Sequence, residues 1–519
     1  MMKRLNYILS IVILLGITIF NSKWCAAQSE PIFHLKGKIT NDNVPDSIVI
    51  RYTTDFEEQN NVFTRGILKS YKVENDRFEI GIDSVDKLFY LKFSSLKNMG
   101  FRRNDTYRRL SYFPILVSPN LDLQMEITAD SVIFTGKDAP QIICQLELRR
   151  IEGLAAQKRN LLSNEANLIQ SNQRDPHRRM RGHLLEFHEI NNELIEEGRA
   201  IIERFSENSD REIWQQIWYD WVGTVKYYEI NHIHLLHTKY SKKYRGAIED
   251  FYIQFVLTDE MSETIANYRC NSFMFPQYLY YKSYSDLVFL LTRSGTYLKP
   301  NFDTLLDLLS ARYTKTLFDQ VAFSAILQQG GSKSIDENTY LKLISRLESL
   351  EYKRSVEEKL SRKSKYRKGY NFALVDSEGQ IRTPQDFKGK VLIMDFWYTG
   401  CHGCKGLYKA MKPVKSKFKG DSSIVVLSVC VDNTKERWLK TISEPENGYT
   451  DSTNINVWLG TETKQSSLIR YYDIFSYPTV IILNGENEIV SYNPEFPYNE
   501  LSQKSFIALI NQARKRTGG

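Results

Sequence analysis

The run VLIMDFW, Val391 to Trp397, passes directly into YTGCHGCKG, and no other feature constrains the fold of this 519-residue chain so tightly. Seven residues, apolar except for Asp395, read as a strand buried on both faces, the pattern of a parallel sheet interior. Tyr398-Thr399-Gly400 stops the run. A helical stretch follows, and IVVLSVCVD, Ile424 to Asp432, reads as the next buried strand. Strand, helix, strand is a βαβ unit, and the alternation continues from Gly369 to Gly519 as an α/β domain.

Cys401 falls at the start of the predicted helix and Cys404 one turn later. Residues three apart share a helical face, so the two sulfurs can bridge. A helix amino terminus carries partial positive charge and unpaired N–H groups, and both favour a thiolate at Cys401. A thiolate attacks disulfides, so the placement creates a nucleophile, with Cys404 set deeper to resolve the mixed disulfide. His402, when protonated, would stabilise that thiolate and make the disulfide more oxidising. Two other readings stay open on the residues alone. A structural zinc site needs four ligands, and this domain offers no second CxxC or Cys/His pair. An inert clip would close a loop too short to gain much from closure.

The amino terminus predicts the compartment. Lys3 and Arg4 precede YILSIVILLGITIF, Tyr7 to Phe20, which is shorter than the roughly 20 residues that span a bilayer. Cys25-Ala26-Ala27 supplies small residues for cleavage, so residues 1–27 read as a secretory signal peptide rather than a membrane anchor. Lys23-Trp24 before Cys25 argues against lipidation. Export implies an oxidising periplasm or cell envelope. The formal charge is +7; without the three cations Lys3, Arg4 and Lys23 it is +4. That is mild for such a chain and points to no nucleic-acid partner. Five scattered cysteines remain, too few and too dispersed for a disulfide-stapled scaffold. Cys430 reads as a small hydrophobe in a core strand, and Cys144 and Cys270 as further buried thiols, with a bridge between those two left open.

The chain is multidomain. From residue 31 to 137 the hydrophobic period is two: Phe33, Leu35 and Ile39; Phe78, Ile80 and Ile82 after an Asn75-Asp76 turn; Leu121, Leu123, Met125 and Ile127. Short strands with turn signals predict an all-β sandwich or barrel. From 138 to 368 the period becomes helical, as in Trp214, Ile217, Trp218, Trp221 and Val225, with Asp210 as a cap, and in Tyr340, Leu343, Ile344 and Leu347. An α-helical middle domain ends in the basic linker SRKSKYRKG, Ser361 to Gly369. FMFPQYLYYKSYSDLVF, Phe273 to Phe289, reads as core aromatics, with a peptide groove as the alternative. His232, His234 and His237 do not make a metal site, because only the last two share a face and no other ligand lies at the right spacing.

DFWYTGCHGCK resembles the active-site segment of the thioredoxin superfamily, and SYPTVIILNGENEIV, Ser476 to Val490, resembles its second signature. FALVDSEGQIRTPQDFKGKVLIMDFW and VVLSVCVDNTKERWLK resemble the TlpA/ResA-like exported branch. The β domain is similar to one that often precedes such domains, on spacings such as VENDRFEI and VIFTGKDAPQ. The likeness covers residues 369–519 and implies a mixed central sheet flanked by helices. It implies Cys401 as the attacking thiol, Cys404 as the resolving thiol, and Asp395 as a buried proton acceptor for Cys404. Trp397 would shield the disulfide. Pro478 would be cis, placing the Tyr477 backbone beside the sulfurs to pair with a substrate chain.

The resemblance thus implies a thiol–disulfide oxidoreductase, a reductase of disulfide-bearing envelope proteins that is recharged by a membrane electron donor. It implies no bound organic cofactor, only the redox-active Cys401–Cys404 disulfide. The alternatives are an envelope binding or scaffold protein with a structural or vestigial CxxC, and a thiol peroxidase. Several positions depart from the family: Gly400 replaces an aromatic residue, Gly403 a proline, KGLYKAMKP lacks a glutamate-proline pair, and Tyr370-Asn371 precedes Phe372 where proline is common. These bear on partner choice and reduction potential, not on the presence of the pair.

Overall fold

A computed structural model describes residues 33–515 except 41–43, 54–65, 84, 86, 94–113, 129–130, 170–174, 207–210, 240–241, 260, 293–299, 330–334, 364–366, 445–447, 462–465, 473 and 475. The predicted signal segment with Cys25, and the Asp210 cap, lie outside these residues. The chain parts into two compact units: residues up to Arg150 with Ile201–Trp214, and Ile151–Ala200 with Gln215–Gly519.

Among the described residues the first unit holds eight strands: β1 (Phe33–Thr40), β2 (Ser47–Thr53), β3 (Ile67–Lys72), β4 (Arg77–Ile82), β5 (Phe89–Phe93), β6 (Ile115–Val117), β7 (Gln124–Thr128) and β8 (Val132–Thr135). They form two four-stranded sheets, β4-β1-β7-β8 and β3-β2-β5-β6. Alternate residues of both sheets, among them Leu35, Ile50, Ile80 and Phe93, share one core, as period-two patterning requires. Asn75 and Asp76 both take positive φ, at 48° and 61°, and turn the chain between β3 and β4.

Among the described residues ten helices follow: α1 (Ala139–Ile169), α2 (Pro176–Ser206), α3 (Arg211–Lys239), α4 (Lys242–Phe251), α5 (Ser262–Ala266), α6 (Met274–Thr292), α7 (Phe302–Arg312), α8 (Lys315–Gln329), α9 (Glu337–Arg346) and α10 (Leu350–Lys363). The chain passes from α4 straight into a π-helical turn, Tyr252–Leu257. The aromatic segment in α6 is core rather than groove: Phe275, Tyr278, Tyr280 and Phe289 are all buried. Asp286, fully buried on α6, is held by Lys282 at 2.9 Å, by Arg312 and by the Tyr252 hydroxyl at 2.7 Å. Unpaired, such a charge would be costly; here every neighbour compensates it. His232 meets His183 across the helices, Nε2 to Nε2 at 2.9 Å, and His237 meets Glu249 at 3.2 Å. Among the described residues no group of three or more His, Cys, Asp or Glu side chains is placed to hold a metal ion.

The carboxy-terminal region carries β9 (Leu374–Asp376), β10 (Ile381–Arg382), β11 (Val391–Trp397), α11 (His402–Lys417), β12 (Ile424–Cys430), α12 (Lys435–Ser443), β13 (Ile455–Trp458), α13 (Ser467–Tyr471), β14 (Thr479–Leu483), β15 (Ile489–Tyr492) and α14 (Glu500–Lys515). Seven strands form one sheet in the order β10-β9-β13-β12-β11-β14-β15. β11 runs parallel to β12 and antiparallel to β14, so the sheet is mixed and β11 is interior. That position explains its apolar composition, interrupted at Asp395 alone. One face packs Met394, Phe396, Leu427 and Ile481; the other packs Ile393, Leu407, Val480 and Phe506. The end of the basic linker is not free. Arg367 stacks on Tyr471 at 4.0 Å, and Lys368 bridges to Glu488 at 3.2 Å. Among the described residues no helix is long and apolar enough to cross a membrane.

Candidate active site

β11 delivers its last residues to the amino end of α11. Cys401 is the helix N-cap, and its sulfur accepts a hydrogen bond from the Cys404 N–H at 3.1 Å. Cys401 and Cys404 are joined in a disulfide, with Cα atoms 5.3 Å apart. The expected difference in depth between the two is not found. Cys401 is 4% exposed and Cys404 3%. The reason is a wall of side chains: Trp397, Trp438, Tyr449 and the free thiol of Cys430 form one buried cluster with both cysteines, and Tyr477 packs against it.

The turn before Cys401 is held from several directions. Gly400 has φ +102°, a conformation open to glycine, and its N–H donates to the Tyr449 hydroxyl at 2.7 Å. The Tyr449 ring stacks on Trp397, with centroids 5.1 Å apart and planes 11° apart. The Thr399 N–H donates to Asp432 at 2.9 Å, and Arg437 donates to the Thr399 carbonyl at 2.7 Å. Trp397 Nε1 donates to the Ser428 hydroxyl at 2.7 Å, satisfying its polar atom in the core.

The Tyr477–Pro478 peptide bond is cis. Pro478 lies directly against the CxxC: a Cβ on Gly403 would come within 3.1 Å of Pro478 Cδ and 3.8 Å of the Tyr477 carbonyl oxygen. Glycine between the cysteines thus matches a close approach by the proline ring. The Tyr477 hydroxyl is buried without a hydrogen-bond partner among the described residues, and burial pushes it up to about 12.

Asp395 sits on β11 opposite Val480 of β14, two residues past Pro478. Its Oδ1 is shut off from solvent and finds no hydrogen-bond partner among the described residues. Burial raises its carboxyl to about 7, opposed weakly by the charge of Lys415. Lys415 is itself committed to Asp451, at 2.9 Å and 3.0 Å. A carboxyl tuned near neutrality can take up and release a proton at working pH. His402 is exposed on the first turn of α11. The structure gathers Asp395, Trp397, Cys401, His402, Cys404, Tyr477 and Pro478 at one end of the sheet. Asp432, Arg437 and Trp438, all within the VVLSVCVDNTKERWLK segment but given no role there, complete the site together with Tyr449, which had no local signal in the sequence. Cys430 was legible only as core, although its place opposite Trp397 in the β11–β12 register puts it in the cluster.

Residues 389–489 match a family model described as thioredoxin-like, and the carboxy-terminal domain is thioredoxin-like. The chain is similar to the thiol-disulfide oxidoreductase ResA of Bacillus subtilis, at 27% identity over 123 residues, covering 23% of this chain and 62% of that protein. It is also similar to the thioredoxin-like protein YneN of the same organism, at 23% identity over 119 residues, covering 23% and 65% respectively. The chain thus spans less than two thirds of either relative's length. Among solved structures, it is similar to the thioredoxin domain of a thiol-disulfide oxidoreductase from Bacteroides vulgatus, with 24% identity, 28% of this chain and 98% of that one covered, and a TM-score of 0.24.

Proposed function

We propose that the protein is an exported thiol–disulfide oxidoreductase that reduces disulfides of cell-envelope proteins. The observation that carries this reading is a disulfide at a helix N-cap, beside a cis-proline, with a half-buried carboxyl of raised pKa, its Oδ1 shut off from solvent, on the strand that leads into it. In the reduced protein the Cys401 thiolate attacks one sulfur of the substrate disulfide. A mixed disulfide forms and the first substrate thiolate leaves. Cys404 passes its proton to Asp395, and its thiolate attacks Cys401 Sγ. The second substrate thiolate leaves, and the Cys401–Cys404 disulfide is restored. Two electrons have moved to the substrate, so each cycle requires re-reduction, which a membrane electron donor would supply. No organic cofactor takes part. The Tyr477 backbone offers an edge for an extended substrate segment, and Trp397 shields the pair.

Near-complete burial of both cysteines favours a second reading, an envelope scaffold whose CxxC is a structural clip. Trapping separates them. A reduced Cys404→Ala variant mixed with a disulfide peptide is expected to accumulate an adduct at Cys401, detected by mass. No adduct, and no turnover by the unmodified protein, would sink the reductase. Consumption of peroxide without any disulfide substrate would instead indicate a thiol peroxidase.

A further inference from the structure

α11 carries five lysines and no carboxylate. His402, Lys405, Lys409 and Lys412 recur at intervals of three, four and three, which places them in one row along the helix. His402, Lys409 and Lys412 are exposed, and Lys405 is half-buried with its ammonium 5.0 Å from the Tyr449 ring centroid. Lys415, off that row, pairs with Asp451. None of the four residues in the row forms an ion pair among the described residues. The row starts at the disulfide. Arg437, beside the Thr399-Gly400 turn, is 58% exposed in its side chain but is paired with Asp432 at 3.9 Å, so it adds little to the row.

A solvated face ordinarily mixes both signs of charge. Cations in the first turns of a helix also oppose its dipole, and here no acid in the first turn offsets them. On the rim of the same site, Tyr398 is 41% exposed and meets Tyr477 edge to face at 5.6 Å. The mouth therefore has a cationic side along α11 and an aromatic side at Tyr398 and Tyr477.

We propose that the α11 row docks an acidic segment of the disulfide-bearing partner, so that the preferred substrate cysteine has aspartates or glutamates near it in sequence. This rests on the exchange reading above. The carboxylates lie along Lys405, Lys409 and Lys412 while the substrate sulfur meets Cys401. Opposite charges at a mouth raise the rate of productive encounter and select among partners, and salt weakens both effects.

The test uses the full-length protein and three synthetic disulfide peptides that differ only in having Asp, Ser or Lys around the cysteines. The reduced protein is expected to reduce the Asp peptide about tenfold faster than the Lys peptide at low salt, with the gap closing as salt rises. Lys409→Glu/Lys412→Glu, remote from the sulfurs, is expected to abolish or reverse that preference and leave the Ser peptide within about twofold. Equal rates for the Asp and Lys peptides, or a preference that survives the double variant, would overturn the docking surface. Docking is also read without chemistry, by anisotropy of a labelled Asp peptide with serines in place of its cysteines. Charge-dependent binding to wild type but not to the double variant, with no reduction of any peptide, would keep the surface and remove the exchange reading. Sedimentation with phosphatidylglycerol vesicles that the double variant loses, without any peptide preference, would assign the row to lipid and overturn the proposal.

Discussion

The Gly400 N–H and the Tyr449 hydroxyl oxygen are 2.7 Å apart, a hydrogen bond between positions 49 residues apart in sequence that fixes the turn leading into the disulfide. Tyr449→Phe keeps the ring on Trp397 and removes the acceptor, leaving a backbone donor unpaired. The expected loss is about 1–2 kcal/mol, seen as a lower urea midpoint with an unchanged slope. An unchanged midpoint would mean that solvent replaces the phenol.

Two glycines flank Cys401 for different reasons. Alanine at Gly400 meets nothing closer than an Arg437 nitrogen at 3.9 Å, so its cost is the backbone at φ +102°. A loss of about 1–3 kcal/mol is expected, read by urea unfolding. Alanine at Gly403 crowds the Pro478 ring instead. Gly403→Ala is expected to slow disulfide exchange severalfold through displacement of Pro478, measured as the rate of peptide reduction beside that of Gly400→Ala.

Asp395 has a sign as well as a role. The folded protein keeps its proton up to about pH 7, whereas the unfolded chain releases it near pH 4. Stability from this group is therefore greatest at low pH and is lost as pH rises through that window. Asp395→Asn should remove the slope and stabilise the protein at pH 8, by at most about 4 kcal/mol, with little change at pH 4. The same variant should slow exchange at pH 7 by on the order of 100-fold. Urea midpoints at the two pH values, with peptide reduction rates, check both.

His402→Ala removes a side chain that can place positive charge beside Cys401. The reduced form loses stabilisation of its thiolate, so the reduction potential is expected to fall, by roughly 10–20 mV. Equilibration with glutathione buffers measures it. An unchanged or higher value would show that this histidine does not set the potential.

What the sequence made legible was local. VLIMDFW, the CxxC after Gly400 and the Tyr477-Pro478 pair each declare themselves within a few residues, because strand burial and helix starts leave short-range patterns. The change of hydrophobic period marked where the β region gives way to helices. Contacts that depend on chain return left no such mark. Tyr449 reaches Gly400, Asp432 clamps Thr399 and His183 meets His232 across 49, 33 and 49 residues. The comparable depth of Cys401 and Cys404 was equally hidden, since the wall around them comes from α12, the segment before β13 and β12.

Cys430 gives the site a third sulfur, packed in the same apolar cluster as the disulfide. Burial pushes its thiol well above the usual range, with the nearby Asp432 adding to the effect. A thiol that keeps its proton does not enter exchange. On the proposed exchange reading, Cys430 is therefore expected to stay a thiol while electrons pass through the Cys401–Cys404 pair beside it.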